Sequence, residues 1–394
     1  LEFRRVLFRS LAAVKSAKAI KIITWISVGI VAFSAIAWLG LGRISGAISR
    51  VNVFDNLKNR PERASSAVNY LVVGSDTREG LTPAELKLLR VGSVKSAAGA
   101  RSDTMMLVHI SKSRDNAVII SLPRDSLVTI PAHTSQDGKT QVAEMQAKLN
   151  AAFAWGGAPL LIQTLEAKMN LRIDHYVEVN FAGFKNVVDA LGGIQVCTKK
   201  NINDPKSHLV LSAGVHTLDG IESLKYVRTR DFDGMGDLGR MQRQQQFVSA
   251  IFRKATSSGT LLNPFKVKNL ISAAFKTVKT DETLNQGDIV TLAKQIRNLT
   301  PGKMRTMTVP LGNSNGYVAG LGSVVIWDQT LAPELFDRLR NDKPVVDLIT
   351  PTPSSSSTSK GKNGNKTPSP APSPSIIDKF KTRTASENPC GALK

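Results

Sequence analysis

Arginine and aspartate recur in close company along the middle of the chain, as Asp76-Thr77-Arg78, Arg101-Ser102-Asp103, Arg124-Asp125, Arg228-Thr229-Arg230 and Asp237-Leu238-Gly239-Arg240. A guanidinium presents a rigid fork of donors that matches phosphate oxygens, whereas an ionised carboxylate only accepts. Fixed cations beside acceptor-only oxygens can hold a pyrophosphate together with a hard divalent metal ion. Mg²⁺ typically takes one or two carboxylates plus water and phosphate oxygens, so Asp76 and Asp103 suffice as protein ligands. The five histidines have no zinc spacing, and the sequence holds no Gly-x-Ser-x-Gly elbow, Walker loop or dinucleotide fingerprint. Serine-nucleophile, zinc-dependent and nucleotide-dependent chemistry are therefore disfavoured.

These residues need a scaffold. Val68 to Gly74 is an apolar run ending in glycine and acid, the profile of a buried strand that delivers a loop to a site. Thr104 to Ile110 and Asn116 to Leu122 predict two more strands around the charged turn Lys112 to Asp115. Thr82 to Ala100 reads as an insertion with a helix from Pro83 to Arg90. Lys148 to Trp155 and Pro159 to Met169 predict helices separated by Gly156-Gly157. Ile173 to Val179 and Ile194 to Thr198 predict strands, with a helix from Phe181 to Leu191 between them. Leu218 to Arg228 and Asp237 to Ser257 are expected to be helical, as are Pro264 to Lys279 and Gln286 to Leu299. Met304 to Val309 and Ser323 to Trp327 are expected to finish the sheet. Strands alternating with helices predict an α/β layer architecture. On the long helix, at about 100° per residue, Asp237, Arg240 and Gln244 share a stripe that turns apolar at Phe247, Val248 and Ile251. An anion at that helix start would gain from the free N–H groups and the dipole; an N-capping Asp237 with surface arginines is the bland alternative.

The chain has 394 residues, 42% hydrophobic and 21% charged, and a net charge of +21. So large a positive excess implies polyanionic partners: nucleic acid, an anionic membrane face or a phosphate-rich glycan. Leu1 to Ser10 lack an initiating methionine and are expected to be an appended scar. Ile22 to Leu41 carries no charge and follows Lys15, Lys18 and Lys21. That run, with about 20 residues needed to cross a bilayer, predicts a single anchor over 22–42. The basic N-terminus, 1–21, would stay cytoplasmic and all that follows Arg43 would lie outside. A cleaved signal peptide ending at Ala35-Ile36-Ala37 is the competing reading. Residues 43–67 read as a stalk, 68–349 as the extracytoplasmic domain and 350–394 as a disordered tail rich in Pro, Ser, Thr and Lys. Cys197 and Cys390 fit an oxidising compartment, either bridged or free.

Taken together, Gly74-Ser75-Asp76-x-Arg78, Arg101-Ser102-Asp103-Thr104, Ser121-Leu122-Pro123-Arg124-Asp125, Lys148-Leu149-Asn150-Ala151-Ala152, Asp174-His175-Tyr176, Leu191-Gly192-Gly193, Leu218-Asp219-Gly220, Tyr226-Val227-Arg228-Thr229-Arg230 and Asp237-x-x-Arg240-x-x-Arg243-Gln244 resemble, in order, the LytR-CpsA-Psr family. The resemblance covers Val68 to Ser257; Thr82 to Ala100 is longer than in compact members. It implies a central, mostly mixed β-sheet flanked by helices. It also implies a Mg²⁺-assisted, or Mn²⁺-assisted, phosphotransferase that moves a glycopolymer from a polyprenyl pyrophosphate carrier to peptidoglycan. By position, Asp76 and Asp103 would be the metal carboxylates. Arg78, Arg101, Arg124, Arg228, Arg230 and Arg240 would clamp the pyrophosphate, with Gln244 beside them. Arg101, Asp237 and Arg240 would stand nearest the chemistry, Asp237 either orienting Arg240 or Arg230 or acting as base toward the acceptor hydroxyl. Phe153, Leu160, Leu161, Phe181, Phe184, Phe247 and Ile251 are candidates for a polyprenyl pocket, each more readily explained as core. Asp125 is expected to partner an arginine or cap a turn.

Three rivals stand beside this reading. A transcription factor would use the positive charge, but much of it lies in the N-terminal lysines and in Lys360, Lys362, Lys366, Lys379, Lys381 and Arg383. No DNA-reading motif is present, so no nucleic-acid partner is expected. A carrier hydrolase could use the same clamp with water as nucleophile. A wall-binding anchor would leave the aspartate and arginine array without a purpose.

Overall fold

The structure is a computed structural model that describes residues 49–55, 57–92, 102–135, 138–230, 234–257, 270, 272, 278–284, 299–349, 375–387 and 390. The anchor segment 22–42, Arg101, most of the two helices expected over Pro264–Lys279 and Gln286–Leu299, and the tract 350–374 lie outside these residues.

An eight-stranded mixed sheet organises the chain. Its strands are β1 (Ser49–Val51), β2 (Val68–Ser75), β3 (Ser102–Ile110), β4 (Ala117–Leu122), β5 (His175–Val179), β6 (Val278–Asp281), β7 (Met304–Thr308) and β8 (Arg383–Thr384), in the spatial order β1-β6-β5-β2-β3-β4-β7-β8. Hairpin partners β2, β3 and β4 run antiparallel, while β5 joins β2 and β7 joins β4 in parallel. The helices are α1 (Pro83–Leu89), α2 (Leu149–Met169), α3 (Phe181–Ala190), α4 (Gly220–Arg228), α5 (Gly236–Ala255) and α6 (Leu331–Arg340).

Side chains alternate across the sheet, as the two-residue period of a strand requires. Leu71, Val73, Ile120, Leu122 and Met307 face one core, shared with Leu161, Leu165 and Leu335 of α2 and α6. Tyr70, Val72, Ile119 and Met304 face the other side, toward Val248 and Phe252 of α5. A further core joins α3, α4 and α5 to the hairpin of Ile194–Thr198 and Gly214–Leu218. Gly193 closes α3 with φ +84°, and a Cβ there would sit 3.0 Å from the Leu218 carbonyl oxygen, so the turn needs glycine.

The break expected at Gly156-Gly157 is present, since α2 is two helical segments joined across a kink at Gly157 (φ 63°, ψ −153°). Several other expectations need correction. Lys279 lies in strand β6, not in a helix. Gly322–Trp327 is a strand but pairs with Leu311–Val318 in a separate hairpin, and so does not finish the main sheet. The supposed stalk 43–67 supplies β1 and Arg60, which bonds Glu166 at 2.7 Å, because the buried Glu166 needs a cationic partner. The tail expected to be disordered over 350–394 returns to the fold. Ser375–Ile377 pairs with Asp347–Ile349, β8 extends the sheet, and Cys390 is bridged to Cys197. Polar composition there is overridden by these attachments.

The bridge closes 193 residues of chain. Cys390→Ser is expected to lower stability by about 2–5 kcal/mol, the usual range for a native bridge. Calorimetry should show a fall in the thermal midpoint that reductant reproduces in the parent chain.

Candidate active site

The arginine and aspartate motifs converge at one end of the central strands, and local irregularities place them. Between β2 and β3 the register slips, Gly74 opposing Thr104 and Ser75 opposing Ser102, which leaves Asp103 as the extra residue of a bulge. A bulge re-aims its unpaired residue, here toward the arginines. Arg124 follows β4 in a short loop held from both sides. Asn150 N–H donates to the Arg124 carbonyl at 2.9 Å, Leu149 N–H to the Ser126 carbonyl at 2.9 Å, and Trp327 Nε1 to Ser126 Oγ at 2.8 Å. The buried Asp204 accepts from the N–H groups of Lys206 and Ser207, both at 2.8 Å, and from that of Arg230, fixing the turn that presents Arg230. Asp237 lies in the first turn of α5; the cap itself is Met235, so Asp237 is not the N-cap.

Around this frame Asp103 accepts from Arg124 Nη1 and lies 3.9 Å from both Arg230 Nη2 and Arg240 Nη1. Asp237 sits 2.9 Å from Arg240 Nη2, 3.5 Å from Arg230 Nε and 3.8 Å from Arg124 Nε. Arg240 is only 3% exposed, whereas Asp103 remains 46% exposed at the side chain. Asp125 partners Arg124 at 3.4 Å, as expected of it, and also Lys148 at 3.3 Å. Lys148, which motif reading passed over as a functional residue, therefore supplies another cation beside the centre. Arg228 donates to the Leu89 carbonyl at 3.4 Å and stands 5.6 Å from the Phe181 ring centroid. Gln244 donates to the Val227 carbonyl at 3.3 Å. Arg78 is near enough to bear on the charge of Arg228.

Burial raises the Asp237 carboxyl above its ordinary 3.8, against the pull of Arg124 and Arg230. Burial also lowers Arg228, reinforced by Arg78 and Arg230 and opposed by Asp103. For Arg124, burial acts downward but Asp103 and Asp237 outweigh it, and its pKa rises. The centre is thus a set of guanidiniums whose neutralisation comes from carboxylates that an incoming anion would compete with.

Beneath it opens an apolar cavity of about 280 Å³ between the sheet and helices α3 to α5. Asp76, Asp103, Arg228, Arg240 and Gln244 form its polar mouth. Phe181, Phe184, Phe247 and Ile251 of the pocket candidates line it, together with Val72, Met106, Val187 and Val248, and Phe184, Phe247 and Ile251 also pack in the helical core. Phe153, Leu160 and Leu161 belong to the core on the opposite face. Asp76 and Asp103 share the mouth of one cavity, and oxygen donors of this kind suit a hard cation. Among the described residues no group of three or more potential metal ligands occurs.

A mixed sheet thus carries a cluster of arginines and aspartates at the mouth of an apolar cavity. Residues 45–341 match the LytR_cpsA_psr family, and the chain belongs to it. It is 37% identical over 294 residues to the probable cell wall biosynthesis protein LcpB of Corynebacterium glutamicum, covering 75% of this chain and 66% of that one. It is 34% identical over 231 residues to the polyisoprenyl-teichoic acid–peptidoglycan teichoic acid transferase TagT of Bacillus subtilis, covering 57% and 62%. The chain thus spans somewhat under two thirds of these relatives' lengths. Among solved structures, TagT bound to LIIa-WTA aligns over 74% of this chain and 99% of its own, at 27% identity and a TM-score of 0.52.

The Asp237 carboxyl is expected to titrate above 3.8 by NMR, and to move higher still in Arg124→Ala, because a stabilising cation is removed. A shift downward in that variant would contradict the assigned geometry.

Proposed function

We propose that this protein is a membrane-anchored phosphotransferase that moves a glycopolymer from a polyprenyl pyrophosphate carrier to peptidoglycan as a phosphodiester. The observation that carries this reading is the joining of Asp103, Arg228 and Arg240 to an apolar cavity in one continuous pocket. A ligand suited to both parts has a densely anionic head and a long apolar chain. The relatives named as polyisoprenyl-teichoic acid–peptidoglycan transferases support the same donor and acceptor classes.

In this mechanism Arg78, Arg124, Arg228, Arg230 and Arg240, with Arg101 as a further candidate, hold the pyrophosphate and spread its charge. Phosphoryl transfer asks for positioning and charge stabilisation more than for covalent chemistry by the protein. An acceptor hydroxyl forms a bond to the glycan-bearing phosphorus as the bond to the bridging oxygen breaks, and polyprenyl phosphate leaves. Asp237, its pKa raised by burial and its carboxylate set among Arg240, Arg230 and Arg124, takes the hydroxyl proton. Mg²⁺, or Mn²⁺, held by Asp76 and Asp103 would supply further neutralisation of the phosphate oxygens when bound. Anchoring rests on the uncharged run Ile22–Leu41 and its preceding lysines, with the catalytic domain outside the cell membrane. Among the described residues no helix is long and apolar enough to cross a membrane.

The test supplies the full chain in detergent with a polyprenyl pyrophosphate oligosaccharide, peptidoglycan oligomers and Mg²⁺, and reads products by mass spectrometry. A phosphodiester-linked conjugate is expected, lost with EDTA and reduced at least about 100-fold by Asp103→Ala, in line with loss of one transition-state contact. Free glycan phosphate without conjugate would identify a hydrolase instead, a reading that the exposure of Asp103 to water keeps in view. Val187→Trp, which adds bulk to the cavity wall, is expected to raise KM for long-chain carriers about tenfold while leaving inorganic pyrophosphate binding unchanged.

A further inference from the structure

Helix α5 borders a second cavity on its other side. At about 100° per residue, Arg240, Gln244, Phe247 and Ile251 look into the apolar cavity, whereas Gly239, Gln242, Gln246 and Ser249 occupy the opposite face and line a cleft of about 450 Å³. The two spaces share no lining residue, yet both reach the start of α5, where Arg240 borders the apolar cavity and Met235 and Gly239 border the cleft.

The cleft differs in chemistry from the cavity. Its floor is polar though buried: Arg243 is 6% exposed, Gln245 5% and Thr306 2%. Gln245 is held in place by donating to Ser121 Oγ at 3.0 Å and Thr308 Oγ1 at 2.9 Å. Buried polar groups cost stability unless satisfied, so a polar floor with room above it is a built surface and not spare core. Lys199, Lys200 and Arg383 stand at the rim. Among the described residues lining it the one carboxylate, Glu387, is occupied in accepting from Thr384 N–H at 2.9 Å and Thr384 Oγ1 at 3.2 Å. The surplus is cationic. One wall is the returning tail, and it is fixed: Cys197 in the cleft is bridged to Cys390, Ala385 N–H donates to the Met304 carbonyl at 2.8 Å, and Arg253 donates to the Ala385 carbonyl.

We infer that this cleft binds the acceptor, through the carboxylates of the peptide stems on a peptidoglycan strand. The inference rests on the ligase reading. In-line displacement puts the leaving group and the attacking hydroxyl on opposite sides of phosphorus; with the carrier's lipid in the apolar cavity, an approach around the other side of the α5 start suits the acceptor. Exposed lysines and a buried arginine select carboxylates over neutral sugar.

Calorimetric titration of the full chain in detergent with a muropeptide dimer bearing free carboxylates, without any lipid donor, tests this directly. Lys199→Glu combined with Lys200→Glu is expected to weaken binding at least tenfold, with thermal midpoint and inorganic pyrophosphate affinity unchanged. Amidating the muropeptide carboxylates should weaken binding similarly, and Lys343→Glu, remote from the cleft, should not. Arg383→Glu alone provides a second variant and should reproduce the loss in part. Equal affinity of parent and variants, or no binding by the parent, would overturn the site. Preferential binding of a phosphodiester-bearing glycan without peptide would do the same by assigning the cleft to the donor polymer. If the parent binds muropeptide yet releases only free glycan phosphate from a donor, the ligase reading fails. If conjugate forms while the variants bind normally, the cleft assignment fails instead.

Discussion

A guanidinium almost wholly withdrawn from water cannot remain charged without partners, and Arg240 is 3% exposed. Much of the site follows from satisfying it. The bulge in β3 brings Asp103, whose backbone carbonyl accepts from Arg240 at 3.3 Å, and the first turn of α5 brings Asp237 at 2.9 Å. These same carboxylates are then shared with Arg124 and Arg230, which lie on separate loops. One buried charge therefore ties β3, the loop after β4, the turn after α4 and the start of α5 into a single electrostatic unit. An anion entering this unit would meet arginines already oriented, and would replace carboxylate contacts instead of creating a charge from nothing.

Helix α5 carries this arrangement because its two faces do different work. Phe247, fully buried, stacks on Phe184 at 5.3 Å between ring centroids and secures the helix against α3. Gln245 pins the other face to β4 and β7 by way of Ser121 and Thr308. The helix is consequently held across its length while its first turn stays open to ligands. The strands beneath behave in the same way: Leu71 and Val73 lock β2 against one core, and Val72 contributes to the cavity on the other side.

The periodic parts of this design were legible in the sequence. The apolar run Val68–Gly74 and those ending at Ile110 and Leu122 marked the central strands, and the stripe Asp237, Arg240, Gln244, Phe247 marked the long helix. What escaped was set by pairing across distance. Nothing local identifies Asp103 as a bulge residue, since the slip exists only relative to β2. Asp204 does its work through backbone N–H groups of a turn that composition does not reveal. Val278 and Lys279 fall inside the helix expected over Pro264–Lys279, yet β5 and β1 recruit Val278–Asp281 as a strand. Helix α6 had a readable signal in Leu331, Leu335, Phe336 and Leu339, whose spacing follows the helical repeat.

The pairing of Asp347–Ile349 with Ser375–Ile377 has a consequence for how this protein can change over time. The chain that leaves at Ile349 returns at Ser375, its partner across the pair, so the intervening stretch begins and ends at one place in the fold. Its length is uncoupled from the position of β8 and of the bridged Cys390. Each doubling of such a loop adds only about 0.6 kcal/mol of closure entropy. Residues can therefore be gained or lost between Ile349 and Ser375 while β8 and Cys390 keep their places in the fold.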